Sequence, residues 1–234
     1  SMEIDYKNIK VIGFDADDTL WVNETYFRDA EEAFASLLDG YETKNKIDQE
    51  LFKMEMKNLA LYGYGIKGFV LSMIESALDL SNNKVAPKTL TDILNIGKNM
   101  ISHPVELLED VEEVLKALSK KYRLIVLTKG DLLDQERKLE RSNLSEYFHH
   151  VEVLSDKREQ NYQNLLDHLE VDVNEFLMVG NSLKSDVLPL VNIGAKAIHV
   201  PFHTTWQHEE VNDDATNGKT YQTLNGLKEL LKLL

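Results

Sequence analysis

The chain has 234 residues, of which 43% are hydrophobic and 28% are charged, as is typical of a globular protein with one large domain or a core domain and an insert. Its formal net charge is -14, which disfavours a nucleic-acid partner, and the lack of cysteine excludes disulfides and thiolate metal sites. No apolar run approaches the ~20 residues of a membrane span. We therefore expect a cytoplasmic protein with no membrane partner, and we infer no oligomeric state.

The first predicted strand covers residues 9–15, with the sequence IKVIGFD. Its nearly continuous apolar residues are typical of a strand that is buried on both faces of a parallel sheet. The strand ends in a cluster of acidic and hydroxyl side chains, namely Asp15, Asp17, Asp18 and Thr19. Carboxylates that lie close together repel one another, and burying them is costly unless a positive charge is nearby. The cluster is therefore either a solvated turn or part of a cation site.

Residues 22–103 contain no convincing strand pattern. Amphipathic spacing instead predicts helices over residues 25–39, 44–62, 65–80 and 88–102. This segment is much longer than the roughly 12 residues that a crossover between parallel strands requires. We therefore predict an all-helical domain over residues 22–103, inserted into a core domain made of residues 1–21 and 104–234.

Beyond the insert, predicted strands alternate with predicted helices. The strands cover residues 122–128, 149–155 (the weakest pattern), 175–181 and 195–201, and the helices cover residues 108–120, 131–142, 158–169 and 184–194. This alternation predicts an α/β fold with a doubly wound parallel sheet and right-handed crossovers. The final LNGLKELLKLL is predicted to close the core as an amphipathic helix.

Polar residues follow the predicted strands, where the carboxyl ends of a doubly wound sheet bind ligands. They are Asp15, Asp17, Thr128, Lys129, Gly130, Lys157, Asn181 and Asp186. Carboxylate oxygens suit Mg²⁺, and hydroxyl, lysine and backbone groups suit phosphate oxygens. The sequence therefore predicts that Mg²⁺ and a phosphate group bind together at this edge.

The ordered set of motifs resembles that of the haloacid dehalogenase-like hydrolases. Asp15-Ala16-Asp17-Asp18-Thr19 matches the DxDxT signature of that family, LTKG at 127–130 matches its second motif, Lys157 matches its third-motif lysine, and GNSLKSD at 180–186 resembles its fourth. The resemblance covers the whole predicted core and implies a Rossmann-like sheet. The helical insert resembles a C1-type cap, which in this family closes over the site and selects the substrate.

The resemblance also implies roles for the residues of the first motif. Asp15 would be the nucleophile and a metal ligand. Asp17 would be the general acid and base, with its backbone carbonyl on the metal. Thr19 would support the loop, whereas we do not expect Asp18 to be catalytic.

The later motifs would hold the phosphoryl group and complete the metal site. Thr128 and Lys157 would bind phosphoryl oxygens, together with Lys129 and Gly130. The fourth motif often begins Gly-Asp, but Asn181 follows the glycine here. Asn181 and Asp186 are therefore both candidate Mg²⁺ ligands.

These roles describe a Mg²⁺-dependent phosphatase that acts on a small phosphorylated metabolite through an aspartyl-phosphate. The haloacid dehalogenases of the family typically lack the second aspartate, so Asp17 favours phosphoryl transfer. A phosphomutase, a 2-haloacid dehalogenase and a non-catalytic protein that binds a phosphorylated ligand remain as alternatives. The segment HVPFHTTWQHEE, at 199–210, carries His203 and His208 without a compact ligand spacing, so we predict a structural or cap-facing role for it rather than a zinc site.

Overall fold

A computed structural model of the chain describes residues 4–202 and 220–234. Its strands are β1 (Val11–Phe14), β2 (Arg123–Thr128), β3 (His150–Val153), β4 (Phe176–Gly180), β5 (Lys196–His199) and β6 (Gln222–Thr223). They form a six-stranded sheet in the order β3-β2-β1-β4-β5-β6, and each neighbouring pair is parallel. The predicted doubly wound α/β fold is confirmed. The sequence does not reveal β6, because two residues are too short to carry a hydrophobic period.

The helices are α1 (Glu24–Leu37), α2 (Lys44–Tyr62), α3 (Ile66–Leu80), α4 (Pro87–Ser102), α5 (Val111–Leu118), α6 (Leu132–Arg141), α7 (Glu159–Leu169), α8 (Leu188–Asn192) and α9 (Leu230–Leu233). The region predicted as one helix over 184–194 differs, because a π-helical turn over Leu183–Val187 precedes the short α8. The C-terminal helix is also shorter than predicted, since a 3₁₀ turn over Leu227–Glu229 leads into α9. None of the helices in the described part of the chain is long and apolar enough to cross a membrane.

Side chains that alternate along the central strands fill two apolar layers, one on each face of the sheet. Ile12 and Phe14 of β1 point into the layer that Val114 and Leu118 of α5 cover. Val11 points into the opposite layer, which contains residues of α7 and α8. Successive side chains of a strand point to opposite faces, so burial on both faces requires the nearly continuous apolar runs seen in the sequence.

The chain divides into two compact units. The core unit comprises Ser1–Glu24, Val105–Thr128 and Gln135–Leu234, apart from the stretches outside the described residues. The helical unit comprises Thr25–Pro104 and Lys129–Asp134. The helical unit has its own apolar core, which includes the fully buried Phe34, Leu38, Met73 and Ile93. The segment that contains His203 and His208 lies outside the described residues.

Candidate active site

The register of the central strands brings three polar strand ends to one edge of the core unit. Phe14 of β1 lies beside Val126 of β2 and Val179 of β4. The backbone N–H of Asp15 continues this ladder by donating to the carbonyl of Val179 at 3.0 Å. Asp15 and Asn181 therefore directly follow β1 and β4, and Thr128 ends β2, at the aligned carboxyl ends of the three strands.

Lys157 lies between the partly buried carboxylate of Asp15 and the fully buried carboxylate of Asp186. Its Nζ donates to Oδ1 of Asp15 at 2.8 Å and to Oδ1 of Asp186 at 2.7 Å. Burial lowers the pKa of Lys157, but the carboxylates of Asp15 and Asp186 outweigh this effect and raise it well above its usual value. Burial raises the pKa of Asp15 well above its usual value, and repulsion from Asp186 adds to that shift while Lys157 opposes it. The Asp15 side of the site thus has more acidic than basic groups, which favours a further cation.

Asp186 is held in place by the π-helical turn and by Gly180. Its Oδ2 accepts a hydrogen bond from the backbone N–H of Ser182 at 3.1 Å, so both of its oxygens are engaged. A Cβ atom at Gly180 would lie 2.3 Å from Cγ of Asp186. Only glycine at this position lets the carboxylate reach Lys157.

The side-chain amide of Asn181 lies 3.2 Å from Oγ1 of Thr19 and also faces Oδ2 of Asp15 and the backbone carbonyl of Asp17. The amide atom on that side lies 2.7 Å from Oδ2 of Asp15 and 3.2 Å from the backbone carbonyl of Asp17. With its nitrogen turned toward them, the amide donates to both oxygens. With its oxygen turned toward them, three oxygens converge, an arrangement that a bound cation would stabilise.

This set of oxygens fits Mg²⁺ better than it fits a metal that requires several acidic or histidine ligands. Within residues 4–202 and 220–234, no group of three or more His, Asp or Glu side chains is arranged to hold a metal ion. One carboxylate, one carbonyl and one amide are a smaller donor set. Mg²⁺ accepts such a set because it usually keeps several waters and takes phosphate oxygens as further ligands.

Asp17 lies two residues after Asp15 but makes entirely different contacts. Its Oδ1 accepts from the indole Nε1 of Trp21 at 2.9 Å, and its Oδ2 accepts from Nε2 of Gln135 at 2.7 Å. Nζ of Lys138 lies 3.4 Å from the same Oδ1. Burial raises the pKa of Asp17, but the charge of Lys138 and these hydrogen bonds outweigh it, so the pKa is lowered.

Asp18 has a structural role in the described chain. Its Oδ1 accepts from the backbone N–H groups of Asn23 at 2.8 Å and Glu24 at 2.9 Å, which leads the chain into α1. Thr19 is also buried, and its hydroxyl donates to Oδ2 of Asp15 at 3.2 Å. Both residues stabilise the loop that carries Asp15 and Asp17.

The second motif is divided between the two units. Thr128 ends β2 in the core unit with 2% exposure, and its carbonyl accepts from the N–H of Leu154 at 2.8 Å. Lys129 and Gly130 belong to the helical unit. There, Nζ of Lys129 lies 4.2 Å from the centroid of the Tyr64 ring, within the range of a cation–π interaction.

Sequence reasoning missed Gln135 and Lys138, which contact Asp17. They lie three residues apart, and such residues share one face of an α-helix. The predicted helix over 131–142 directly follows the second motif, so its first turns lie near the carboxyl edge of the sheet. Polar residues on the inward face of that helix were the available signal.

A model of the family described as "haloacid dehalogenase-like hydrolase" matches residues 9–194, which include every motif of the site. The chain belongs to the haloacid dehalogenase-like hydrolases. A solved haloacid dehalogenase-like family hydrolase from Xanthomonas campestris is 37% identical to it, with a TM-score of 0.81. That similarity covers 97% of this chain and 92% of the other.

Curated relatives of this family member match over shorter segments. The N-acylneuraminate-9-phosphatase of Rattus norvegicus is 33% identical over 94 residues, which are 38% of this chain and 38% of that protein. The glyceraldehyde 3-phosphate phosphatase of Pyrococcus abyssi is 32% identical over 83 residues, which are 33% of this chain and 34% of that protein. The matches thus span less than two fifths of the length of these relatives.

Proposed function

We propose that this haloacid dehalogenase-like protein is a Mg²⁺-dependent phosphatase that hydrolyses a small phosphomonoester through an aspartyl-phosphate. The observation that carries the proposal is the arrangement around Asp15. Its carboxylate accepts a hydrogen bond from the buried Lys157 and faces the amide of Asn181. A second carboxylate, that of Asp17, follows two residues later. The phosphatase names of the curated relatives support the same class of substrate.

Asp15, the carbonyl of Asp17 and the amide oxygen of Asn181 would hold the Mg²⁺. Asp186 is the weaker candidate for a direct ligand, because Lys157 and the N–H of Ser182 already engage its two oxygens. When bound, Mg²⁺ would offset the negative charge of the phosphoryl oxygens and of Asp15.

In the first half-reaction, a carboxylate oxygen of Asp15 attacks the phosphorus atom, and the bond from phosphorus to the ester oxygen breaks. Asp17 in its protonated form gives a proton to the departing alcohol. Thr128 and Lys157 bind the phosphoryl oxygens, where negative charge must be stabilised. The products of this step are the alcohol and phosphorylated Asp15.

In the second half-reaction, a water molecule attacks the phosphorus atom of phosphorylated Asp15. Asp17, now ionised, accepts a proton from that water, and the bond from phosphorus to Asp15 breaks. Inorganic phosphate leaves, and both aspartates return to their starting states. The helical unit is proposed to act as the cap that selects the substrate.

The proposal is tested by measuring phosphate release from p-nitrophenyl phosphate, N-acylneuraminate 9-phosphate and glyceraldehyde 3-phosphate, with Mg²⁺ and with a chelator. We expect release only with Mg²⁺, and we expect Asp15→Asn to reduce it to background while the fold is retained. Asp5→Asn, at an exposed position, is the matched control and should leave the rate unchanged.

Other outcomes would support other reactions. Conversion of a sugar phosphate into an isomer without phosphate release would indicate a phosphomutase. Metal-independent halide release from a 2-haloacid would indicate a dehalogenase. Full phosphatase activity in Asp15→Asn would exclude the proposed nucleophile.

A further inference from the structure

The inward face of α6 carries polar groups where a helix that packs on a core usually carries apolar ones. The face contains Gln135, Lys138 and Leu139, and Ser142, directly after the helix, continues the i, i+3, i+4, i+7 spacing. Gln135 is only 2% exposed, and the side chain of Lys138 is 13% exposed. Two long polar side chains on such a face require an explanation beyond core packing.

The contacts of both side chains lead to Asp17. Nε2 of Gln135 donates to Oδ2 of Asp17 at 2.7 Å, whereas the Oε1 atom of Gln135 is buried and has no hydrogen-bond partner among residues 4–202 and 220–234. Nζ of Lys138 lies 3.4 Å from Oδ1 of Asp17 and donates to Oδ1 of Asn23 at 3.2 Å. Folded proteins generally avoid a buried acceptor without a partner, so the Gln135 amide is oriented at a cost to stability.

Trp21 is the third residue whose side chain contacts the carboxylate of Asp17, and it lies in the first-motif loop and not on α6. Its indole Nε1 donates to Oδ1 of Asp17 at 2.9 Å, and its ring is 1% exposed. A buried indole cannot rotate freely, so it defines where that oxygen lies. Each oxygen of Asp17 is therefore fixed by a donor from a different part of the core unit.

We propose that Gln135 and Lys138 are positioning residues of the phosphatase reaction, which hold the carboxylate of Asp17 against Trp21 in the orientation from which it exchanges its proton. The inference rests on the proposed function, in which Asp17 is the general acid and base. Neither residue touches the phosphoryl group in this proposal. They act through the placement of Asp17, because small displacements of a proton-transfer group reduce the rate strongly.

The kinetic test compares two leaving groups in Gln135→Leu and Lys138→Met. An alkyl phosphate releases an alcohol that needs a proton, whereas p-nitrophenyl phosphate releases a stabilised phenolate that does not. The value of kcat/KM covers the steps up to loss of the leaving group and so excludes the second half-reaction. We expect kcat/KM for an alkyl phosphate accepted by the wild type to fall about tenfold or more, with a much smaller fall for p-nitrophenyl phosphate.

Matched controls separate positioning from general damage. Gln160→Leu and Lys10→Met change the same residue types at exposed sites of the core unit. Neither variant should change kcat/KM for the alkyl phosphate or for p-nitrophenyl phosphate. Lys138→Arg retains a cationic donor and should recover most of the alkyl phosphate activity. In an Asp17→Asn background, Gln135→Leu should cause little further loss, since two residues that act through one group are not additive.

A spectroscopic readout does not depend on activity. The chain has two tryptophans, Trp21 and Trp206, so the ¹H–¹⁵N spectrum should contain two indole signals. The signal that remains in Trp206→Phe is that of Trp21. The Trp21 signal should shift in Gln135→Leu and Lys138→Met but not in the control variants. If Gln135→Leu does not fold, Gln135→Met is used in its place, because methionine keeps the length of the glutamine side chain.

The outcomes distinguish this inference from the proposed function. If the wild type releases phosphate and Asp17→Asn is impaired, the proposed function is supported, regardless of the results for Gln135→Leu and Lys138→Met. An equal loss on both substrates, or a Trp21 signal that does not move, then overturns the positioning role. A wild type that is silent on both substrates contradicts the function itself.

Discussion

The surroundings of Asp15 and of Asp17 differ although the two residues are separated by only one position. Asp15 shares one ammonium group, that of Lys157, with the buried Asp186, and its pKa is raised. Asp17 receives hydrogen bonds from Trp21 and Gln135 and lies near Lys138, and its pKa is lowered. Pairs of carboxyl groups whose environments shift their pKa values apart are typical of sites where each performs a different task.

The difference shows what each region lacks. The Asp15 region is short of positive charge, which the proposed Mg²⁺ ion would supply. The Asp17 region already has its donors, so nothing in it calls for a cation at the side chain. These directions alone favour a protonated Asp15 and an ionised Asp17. The proposed nucleophile therefore needs the charge of a bound cation to ionise, whereas Asp17 is already in the form that accepts a proton from water.

Lys157→Met should have the largest effect on the fold. It removes the ammonium group that pairs with both the partly buried Asp15 and the buried Asp186. Breaking a buried ion pair in this way costs about 3–5 kcal/mol. Chemical denaturation of the variant should show this loss in the free energy of unfolding.

Lys10→Met is the matched control for this loss. Lys10 pairs with Glu175 at 2.6 Å, but its side chain is 73% exposed and solvent screens the pair, so its removal should change the free energy of unfolding far less than Lys157→Met does. Adding Asp186→Asn to Lys157→Met should recover part of the lost stability. Equal stabilities of Lys157→Met and Lys10→Met would show that the Asp15 region is not short of positive charge.

Asp17→Asn should have the next largest effect, which we expect on the rates of the two half-reactions. Without a group that can exchange a proton, both half-reactions should slow by about 10²-fold, as is typical when general acid and base catalysis is lost. Single-turnover measurements of alcohol release and of phosphate release report the two steps separately. Unchanged rates for both steps would show that another group transfers the proton.

The stability of Asp17→Asn sharpens the contrast with Lys157→Met. Asparagine keeps an oxygen that can accept from Trp21, and the substitution removes one negative charge instead of a positive charge that two carboxylates share. We therefore expect a smaller loss of stability than in Lys157→Met. The reverse order would mean that the Asp17 region, rather than the Asp15 region, stabilises the core unit.

The parts of this molecule that follow from the sequence are those with a local signal. Continuous apolar runs such as residues 9–15 identify the buried parallel strands, and the rule that ligands bind at the carboxyl ends of a doubly wound sheet places Asp15, Thr128 and Asn181 together. The helical insert follows from its 3.6-residue period. These features depend on neighbours in the chain or on the general rules of parallel sheets.

The parts that the sequence does not reveal depend on contacts between distant residues. The bonds from Gln135 and Lys138 to Asp17 form only once α6 has packed on the core unit. The π-helical turn over Leu183–Val187 has no distinct residue pattern, although it lets Asp186 fill the space beside Gly180. The division of the second motif between Thr128 and Lys129 likewise depends on which unit each residue packs with.

Asp18 provides the smallest and most local test of the contrast between the two regions. It is the neighbour of Asp17, yet its carboxylate accepts the backbone N–H groups of Asn23 and Glu24 at the start of α1. Asp18→Ala should lose about 1 kcal/mol of stability, as is typical when a helix loses a capping acceptor. Asp18→Asn, which retains an acceptor, is the matched control and should lose less.

The stability of the wild type relative to that of Asp18→Asn should change with pH in a definite direction. Burial raises the pKa of Asp18 to about 7 from its ordinary value of 3.8, and the hydrogen bonds from Glu24 and Asn23 oppose that shift. The folded state therefore holds this proton more tightly than the unfolded state, so ionisation of Asp18 destabilises the fold as the pH rises through that window. Asp18→Asn cannot ionise, and its melting temperature relative to that of the wild type should rise between about pH 4 and about pH 7. A constant difference across that window would show that the Asp18 carboxylate is as well solvated or hydrogen-bonded in the folded state as in the unfolded one. The loop would then hold the charge of Asp18 without the rise in pKa that burial causes at Asp15.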